Sequence, residues 1–453
     1  MRTRERPPSV IWVLTDQLRA QATGYAGDPN SSTPNLDRLA AEGVEFTRAA
    51  ATAPLCTPAR AALLTGRRPE ATGVLGHQWP LDPSVSTVAD AFNAHGFSTC
   101  YIGKWHLDGK RPELAGTEFT EQEARERIVP ADRRGGFRWW WGYENSNQPF
   151  SCLLHSAPEH VPAGARPIRE RDGAVQFELP GYETDVLTDL MIDWLEHREE
   201  TEPFFAVLSV QPPHDPYVAP AEAMRIAPAQ IEHRRNVPPI PRIRDRAARD
   251  LAGYYGAITQ LDLNVGRIRD CLTRIGRDHD TYLVFLSDHG DMHGSHGQFR
   301  KTSPWEESIR IPLLIGGPSR STRRGVETLV THTDIAPTTL GLAGIEPPEP
   351  MDGLDLSALV TGWSSDPPVR DVLVEIPVPT SDHASVDRPW RALLTHEGWK
   401  YVELDSTPWL LFDLNEDPLE LANHAHDPEY ASVRSEMVER MRQLEADLPT
   451  RTS

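Results

Sequence analysis

Four short stretches of the chain are almost continuously apolar: "VIWVLT" (10–15), "FSTCYI" (97–102), "FFAVLSV" (204–210) and "TYLVFLS" (281–287). A strand with one wet face alternates apolar and polar residues. Near-continuous runs predict parallel strands buried on both faces. Helical periodicity lies between them. "PNLDRLAAEG" closes on Gly43, suited to a helix C-cap. In "TDVLTDLMIDWLEHRE", residues Leu187, Leu190, Met191, Trp194 and Leu195 share one face, and Ile258, Leu261, Val265, Ile268, Leu272 and Ile275 share another. Strands alternating with helices predict an α/β fold, a sheet covered on both sides. Ligands in such folds bind beyond the carboxyl ends of the strands. Asp16-Gln17 follows the first run, Gly103-Lys104-Trp105-His106 the second, Gln211-Pro212-Pro213-His214 the third and Asp288-His289-Gly290 the fourth. Residue types that ligate metals or move protons follow all four, which places a candidate active site there.

At 453 residues the chain exceeds one small core and predicts a large domain plus a smaller one. The texture changes in the proline-rich "IEPPEPMDG". Beyond it, "DVLVEIPV", "WRALLTHEGWKYVEL" and "PWLLFDL" predict short strands, followed by a polar final helix from about residue 430. The expected division is a catalytic domain over 1–345 and a smaller α+β domain over 346–453. The net charge of −20, with no basic stripe, disfavours nucleic acid and anionic membranes as partners. An anionic substrate would need local cations. No stretch approaches the length of a membrane span, and "MRTRERPPSVIWVLTDQ" lacks the apolar core and cleavage site of a signal peptide. Cys56, Cys100, Cys152 and Cys271 are widely spaced, without a zinc or disulfide pattern. A cytoplasmic protein is the expectation.

Cys56 lies in "APLCTPARAALLTG" (53–66). Thr57 predicts an N-cap and Pro58 the first helical position, Ala59 to Leu64 favour helix, and Gly66 ends it. Cys56 then stands at the positive end of a helix, where free N–H groups favour an anion. Arg60 in the first turn opposes the helix dipole, so its expected use is to bind something negative. Residue chemistry alone allows a thiolate nucleophile of low pKa.

The string C-x-P-x-R followed by A-x-L-L-T-G-R resembles the signature of type I sulfatases, members of the alkaline phosphatase superfamily. "TPNLDRLAAEGVEF", "GKWHL", "QPPHDPY", "SDHGDMHGSHGQFRK", "WEESIRIPLLI", "DIAPTTLGLAGI" and "LFDLNEDPLELANHA" resemble further family blocks, in family order. The resemblance implies an alkaline-phosphatase-like three-layer α/β/α sandwich with a large mixed, mostly parallel sheet, plus a smaller C-terminal α+β domain. It implies that a formylglycine-generating enzyme oxidises Cys56 to formylglycine. It also implies a divalent metal at Asp16, Gln17, Asp288 and His289, usually calcium. The family often has Asp at position 17 and Asn at 289. Gln17 with His289 resembles a subset that includes choline sulfatases and phosphonate monoester hydrolases. A nitrogen ligand is less typical of calcium, which keeps manganese as the alternative.

Lys104 and Lys301 match the family's sulfate-binding lysines. Basic residues here are almost all arginine, yet two of the four lysines, Lys104, Lys110, Lys301 and Lys400, stand at these positions. Lysine is a compact point charge able to approach a tetrahedral oxyanion. Lys110 and Lys400 match no motif and are expected in solvent. His106 and His214 are acid–base candidates, because imidazole titrates near neutral pH. The implied reaction begins with attack of hydrated formylglycine on sulfur, oriented by Arg60. The metal, Lys104, Lys301 and the helix N-terminus stabilise charge. His214 protonates the leaving alcohol, and His106 then takes a proton from the second hydroxyl, releasing sulfate. The expected substrate is a sulfate monoester, by preference on a carbohydrate. A phosphonate monoester or phosphodiester hydrolase is the near alternative, and a binding protein with unconverted Cys56 the alternative from another class.

Other candidates carry plainer expectations. His293 and His296 follow His289 at helix-like spacing, but without an H-E-x-x-H pattern they do not point to zinc. Asp334 is expected to cap a helix. Trp139, Trp140, Trp141 and Tyr143 could stack on a ring of the substrate, with packing expected for at least two of them.

Overall fold

The computed structural model describes residues 6–110, 119–199, 202–318, 325–348, 350–380 and 385–447. The start of the N-terminal segment (1–5) and Glu349 of the proline-rich stretch lie outside them.

The large sheet is built from β1 (Ser9–Asp16), β2 (Val44–Ala50), β3 (Ser98–Lys104), β4 (Trp139–Tyr143), β5 (Ser151–Ser156), β6 (Arg166–Arg171), β7 (Ala174–Pro180), β8 (Phe204–Pro213), β9 (Thr281–Ser287), β10 (Leu313–Gly316) and β11 (Gly325–Thr331). Their order is β11-β2-β10-β9-β1-β8-β3-β4-β5-β7-β6. The four apolar runs are the adjacent central strands β9, β1, β8 and β3, all parallel. Eight of the eleven strands point one way, and β10, β5 and β6 oppose them.

Strand pleating explains why the central runs are apolar at every position. Along β1, Val10, Trp12 and Leu14 enter one core, beside residues of the helices Cys56–Thr65, Val88–Ala94 and Ile335–Leu342. Ile11 and Val13 enter the other, beside the helices Pro34–Glu42, Glu183–His197 and Pro241–Arg274. The result is the three-layer α/β/α arrangement. Each large side chain buried this way contributes about 1.5–3 kcal/mol. The helix Pro34–Glu42 does end at Gly43, but Gly43 is extended rather than left-handed (φ −104°). Glycine is needed for space, since a β-carbon there would lie 2.5 Å from the Ile315 carbonyl oxygen.

Beyond the proline-rich stretch, β12 (Val372–Ile376), β13 (Trp390–Leu394), β14 (Trp399–Leu404) and β15 (Thr407–Asp413) form an antiparallel meander. One face packs on Leu55, Met292 and Trp305 of the preceding chain. The other is covered by Met437 and Met441 of the final helix, Ala431–Asp447.

The aromatic run is structural. Trp139 to Tyr143 form β4, with Trp140, Trp141 and Tyr143 buried and Trp139 stacked on His160, so no ring-stacking platform forms there. His293 and His296 do not share a helix; both have left-handed backbones, in a glycine-rich loop. Asp334 accepts the Thr331 N–H at 2.7 Å in a capping box, and its carboxylate also pairs with Arg370.

Candidate active site

The helix holding Cys56 runs from Cys56 to Thr65, with Leu55 as its N-cap. Thr57 is therefore not the cap and Pro58 not the first helical residue. The Thr57 hydroxyl instead accepts the Gln78 N–H at 3.1 Å. Capping preferences amount to about 1 kcal/mol, less than the burial of Leu55 and Cys56 that sets the start. Gly66 ends the helix in the left-handed region (φ 66°) as expected. All ten helical residues are buried, and Cys56 occupies the first turn.

Around the Cys56 sulfur converge residues from the ends of β1 and β9 and from the loop after β9. Sγ lies 3.0 Å from Lys301 Nζ, 3.1 Å from His289 Nε2 and 3.7 Å from Asp16 Oδ1. Lys104, at the end of β3, places Nζ 2.7 Å from Asp16 Oδ2. His214, just past β8, places Nε2 2.9 Å from Lys301 Nζ. All ten predicted site residues thus lie in one connected cluster or, for His106, against it.

Arg60 holds the cluster's acidic pair. Its Nε donates to Asp288 Oδ2 (3.1 Å) and its Nη2 to Asp16 Oδ2 (3.2 Å). Its Nη1 donates to the Lys104 carbonyl (3.0 Å) and Ser209 Oγ (2.8 Å). The expectation that Arg60 meets something negative is met by two buried carboxylates. Gly103 permits β3 to lie this close to β8: it is left-handed (φ 110°), and a β-carbon would sit 2.0 Å from the Ser209 carbonyl oxygen.

The donor set fits a cation. Ligand atoms of Asp16, Cys56, Asp288 and His289 all lie within 4.8 Å of one another. His289 Nδ1 donates to the Gly290 carbonyl at 3.1 Å, so Nε2 is the ring atom turned to the cluster. Burial disfavours charge on the ring, but Asp288 and Cys56 raise its pKa, and a bound cation would take the Nε2 lone pair in place of a proton. Gln17, left-handed at φ 69°, has a buried Oε1 without a hydrogen-bond partner. Two carboxylates, an imidazole nitrogen and an orphaned amide oxygen are a set that a divalent ion would satisfy.

The electrostatics follow from burial and crowding. Burial and the Cys56 thiol favour protonation of Asp16, but Lys104, His214 and Lys301 hold its carboxyl below the ordinary range. Burial and the facing Asp16 push Asp288 above it. Burial would raise the Cys56 thiol, yet Lys301, Lys104 and His289 pull it well below its usual value. His106 (φ 59°) is pushed down to about 3, chiefly by burial and then by Lys104. Its ring is neutral and meets His77 edge-on.

The sequence matches a family model described as Sulfatase over residues 8–345. The chain belongs to the sulfatase family. A second model, described as N-sulphoglucosamine sulphohydrolase, C-terminal, matches 294–447 of this sulfatase. It is 32% identical over 449 residues to an ulvan-active sulfatase of Formosa agariphila, covering 97% of this chain and 81% of that protein. Among solved structures, a putative sulfatase from Bacteroides fragilis is similar at TM-score 0.84 and 25% identity, over 98% of this chain and 97% of that one. Phosphonate monoester hydrolase of Agrobacterium radiobacter is similar at TM-score 0.76 and 25% identity, over 97% of this chain and 95% of that one.

Several contributors to the sulfatase site escaped the sequence reading. Ser209 bridges Arg60 and the Lys104 carbonyl; its one signal was a hydroxyl inside an apolar strand. Trp390, from β13, donates its indole N–H to the Thr302 carbonyl at 2.8 Å, beside Lys301. Thr302 in turn donates its N–H to the Pro54 carbonyl at 3.1 Å. The antiparallel sheet therefore braces the turn that carries Lys301. Lys400, expected in solvent, is fully buried and paired with Glu306 (3.0 Å) and Glu420. Lys110 is half-buried, with its ammonium 4.3 Å from the Phe119 ring centre.

Proposed function

We propose that this sulfatase hydrolyses a sulfate monoester on a carbohydrate, using position 56 as nucleophile after oxidation of Cys56 by a formylglycine-generating enzyme. The observation that carries the reading is the ring of groups at Cys56 Sγ, with Lys301 Nζ and His289 Nε2 at about 3 Å. Formylglycine would supply a gem-diol hydroxyl where Sγ now stands, one hydroxyl to attack sulfur and a second to expel sulfate. A divalent cation held by Asp16, Gln17, Asp288 and His289, calcium by preference and manganese as the alternative, would supply Lewis-acid charge there.

The chain's own groups do the rest. Lys104 and Lys301 bind sulfuryl oxygens as point charges in a water-poor setting, where such contacts are strongest. Arg60 keeps Asp16 and Asp288 apart and in register. His214 donates from Nδ1 to the Asp215 carbonyl (2.7 Å) and accepts from Lys301 Nζ at Nε2 (2.9 Å), so the proton it passes to the departing alcohol oxygen is one relayed through Nε2 from the Lys301 ammonium. His106 accepts a proton from the remaining hydroxyl at position 56; because burial and Lys104 hold its pKa down at about 3, this role requires the negative charge of the bound sulfate ester to raise its basicity at that step. The relative named as ulvan-active supports the carbohydrate class.

A second reading, hydrolysis of phosphonate monoesters or phosphodiesters, is favoured by Gln17 with His289 and by the likeness to a phosphonate monoester hydrolase. Peptide mass spectrometry measures conversion at position 56, and steady-state assays then rank sulfated sugars, aryl sulfate, phosphonate monoester and phosphodiester. Sulfated sugars are expected first. Activity from a preparation whose Cys56 is entirely an unmodified thiol overturns the nucleophile, and a phosphorus ester in first place overturns the substrate class.

A further inference from the structure

Every polar atom of Gln17 is engaged except one. Its N–H donates to Asp288 Oδ1 (3.1 Å), and its carbonyl accepts from the Tyr254 hydroxyl (3.0 Å). Its amide Nε2 donates to Asp291 Oδ2 (2.6 Å) and to the Tyr217 hydroxyl (3.2 Å). Only Oε1 is without a partner, and it is buried. Asp291 is buried too and gathers four donors. Oδ2 takes Gln17 Nε2 and the Tyr217 hydroxyl (2.6 Å), and Oδ1 takes the N–H groups of His293 (3.0 Å) and Arg300 (3.1 Å).

This pattern leaves the amide one orientation. A carboxylate only accepts, so the NH2 end must face Asp291. The Tyr217 proton is already given to Asp291, so that hydroxyl accepts from Gln17. A reversed amide would set two acceptor oxygens against each other at 2.6 Å with no proton between them. The same contact disfavours a glutamate at position 17, which would place two buried carboxylates together.

We propose that Tyr217 and Asp291 are positioning residues that hold the Gln17 amide with its oxygen turned into the Asp16–Asp288–His289 cluster, as the neutral ligand of the cation. The inference rests on the reading that this cluster holds a divalent cation. Such outer partners typically change metal affinity about 10–100-fold when removed.

The test is calorimetric titration of Mn2+, and separately Ca2+, into metal-stripped protein. The variants are Tyr217→Phe, Asp291→Asn, Gln17→Leu and Tyr217→Phe combined with Gln17→Leu, with melting of each apo protein as the fold control. Tyr217→Phe is expected to weaken binding about 10-fold and Asp291→Asn by up to about 100-fold. The combined variant is expected to bind no more weakly than Gln17→Leu alone, because Tyr217 acts only through Gln17. Wild-type affinity in Tyr217→Phe, or an additive loss in the combined variant, overturns the proposal even if Asp291→Asn fails to fold. A wild-type protein that binds neither ion sinks the cation reading itself, a different outcome from an unaltered variant.

Discussion

Arg60→Lys separates charge from geometry in the acidic pair. Arg60 makes four hydrogen bonds from three nitrogens, two of them to carboxylates at the ends of two different strands. Lysine keeps the charge but offers its donors from a single atom, so it cannot span Asp16, Asp288, Ser209 and the Lys104 carbonyl together. Hydrogen bonds involving a charged group are worth about 1.5–3 kcal/mol each. With Arg60 only 1% exposed, water does not replace the lost ones. Losing two should cost about 3–6 kcal/mol, part of it as strain in the carboxylates that face the nucleophile. A fall of at least about 100-fold in kcat/KM, near 2.7 kcal/mol, is the expected outcome. The assay is steady-state hydrolysis of an aryl sulfate, with conversion at position 56 measured in both proteins. Equal conversion with kcat/KM within about 3-fold of wild type would refute the claim that the planar fork matters.

Three further outcomes test other parts of the account. His214→Asn should slow turnover about 10²–10⁴-fold with alkyl sulfates and far less with a nitrophenyl sulfate, whose leaving group needs no proton, as read from single-turnover rates. Lys400→Met should destabilise by about 3–5 kcal/mol in urea titration, because it strands Glu306 and Glu420, while KM stays unchanged. His332 is buried between the Thr52 N–H and the Ser287 carbonyl, and burial pushes its pKa from 6.5 to about 3. The unfolded chain therefore binds more protons in that interval, so stability is complete above about pH 6.5 and drains away as pH falls toward 3. His332→Gln should flatten this acid limb by up to about 1.4 kcal/mol per pH unit, measured from urea midpoints at stepped pH.

Legibility differed by residue. Asp16, Lys104, His214 and Asp288 were legible because each ends or follows a buried strand, and four such strands turned out to be neighbours. The extent of the Cys56 helix was legible from its composition, but its first residue was not. A threonine suited to capping lost to the burial of Leu55. Tyr217 and Asp291 carry no local signal, because their role exists only in relation to the Gln17 amide. Lys400, expected in solvent, is buried. On its strand it lies between Trp399 and Tyr401, and its two partners are 94 residues before it and 20 after it.

Taken alone, the sequence determined the sheet's centre, the helix that presents Cys56 and the inventory of ligands and cations around it. Those properties are local: burial on both faces demands continuous apolar residues, and helix chemistry is read within a turn or two. The tertiary structure decided which groups pair. It paired Arg60 with two carboxylates at once, put Trp390 behind the turn that carries Lys301 and sealed Lys400 against Glu306 and Glu420. Pairing of that kind is set by how chain segments cross. A side chain's solvation and charge depend on neighbours brought from elsewhere, and residue order does not carry that information.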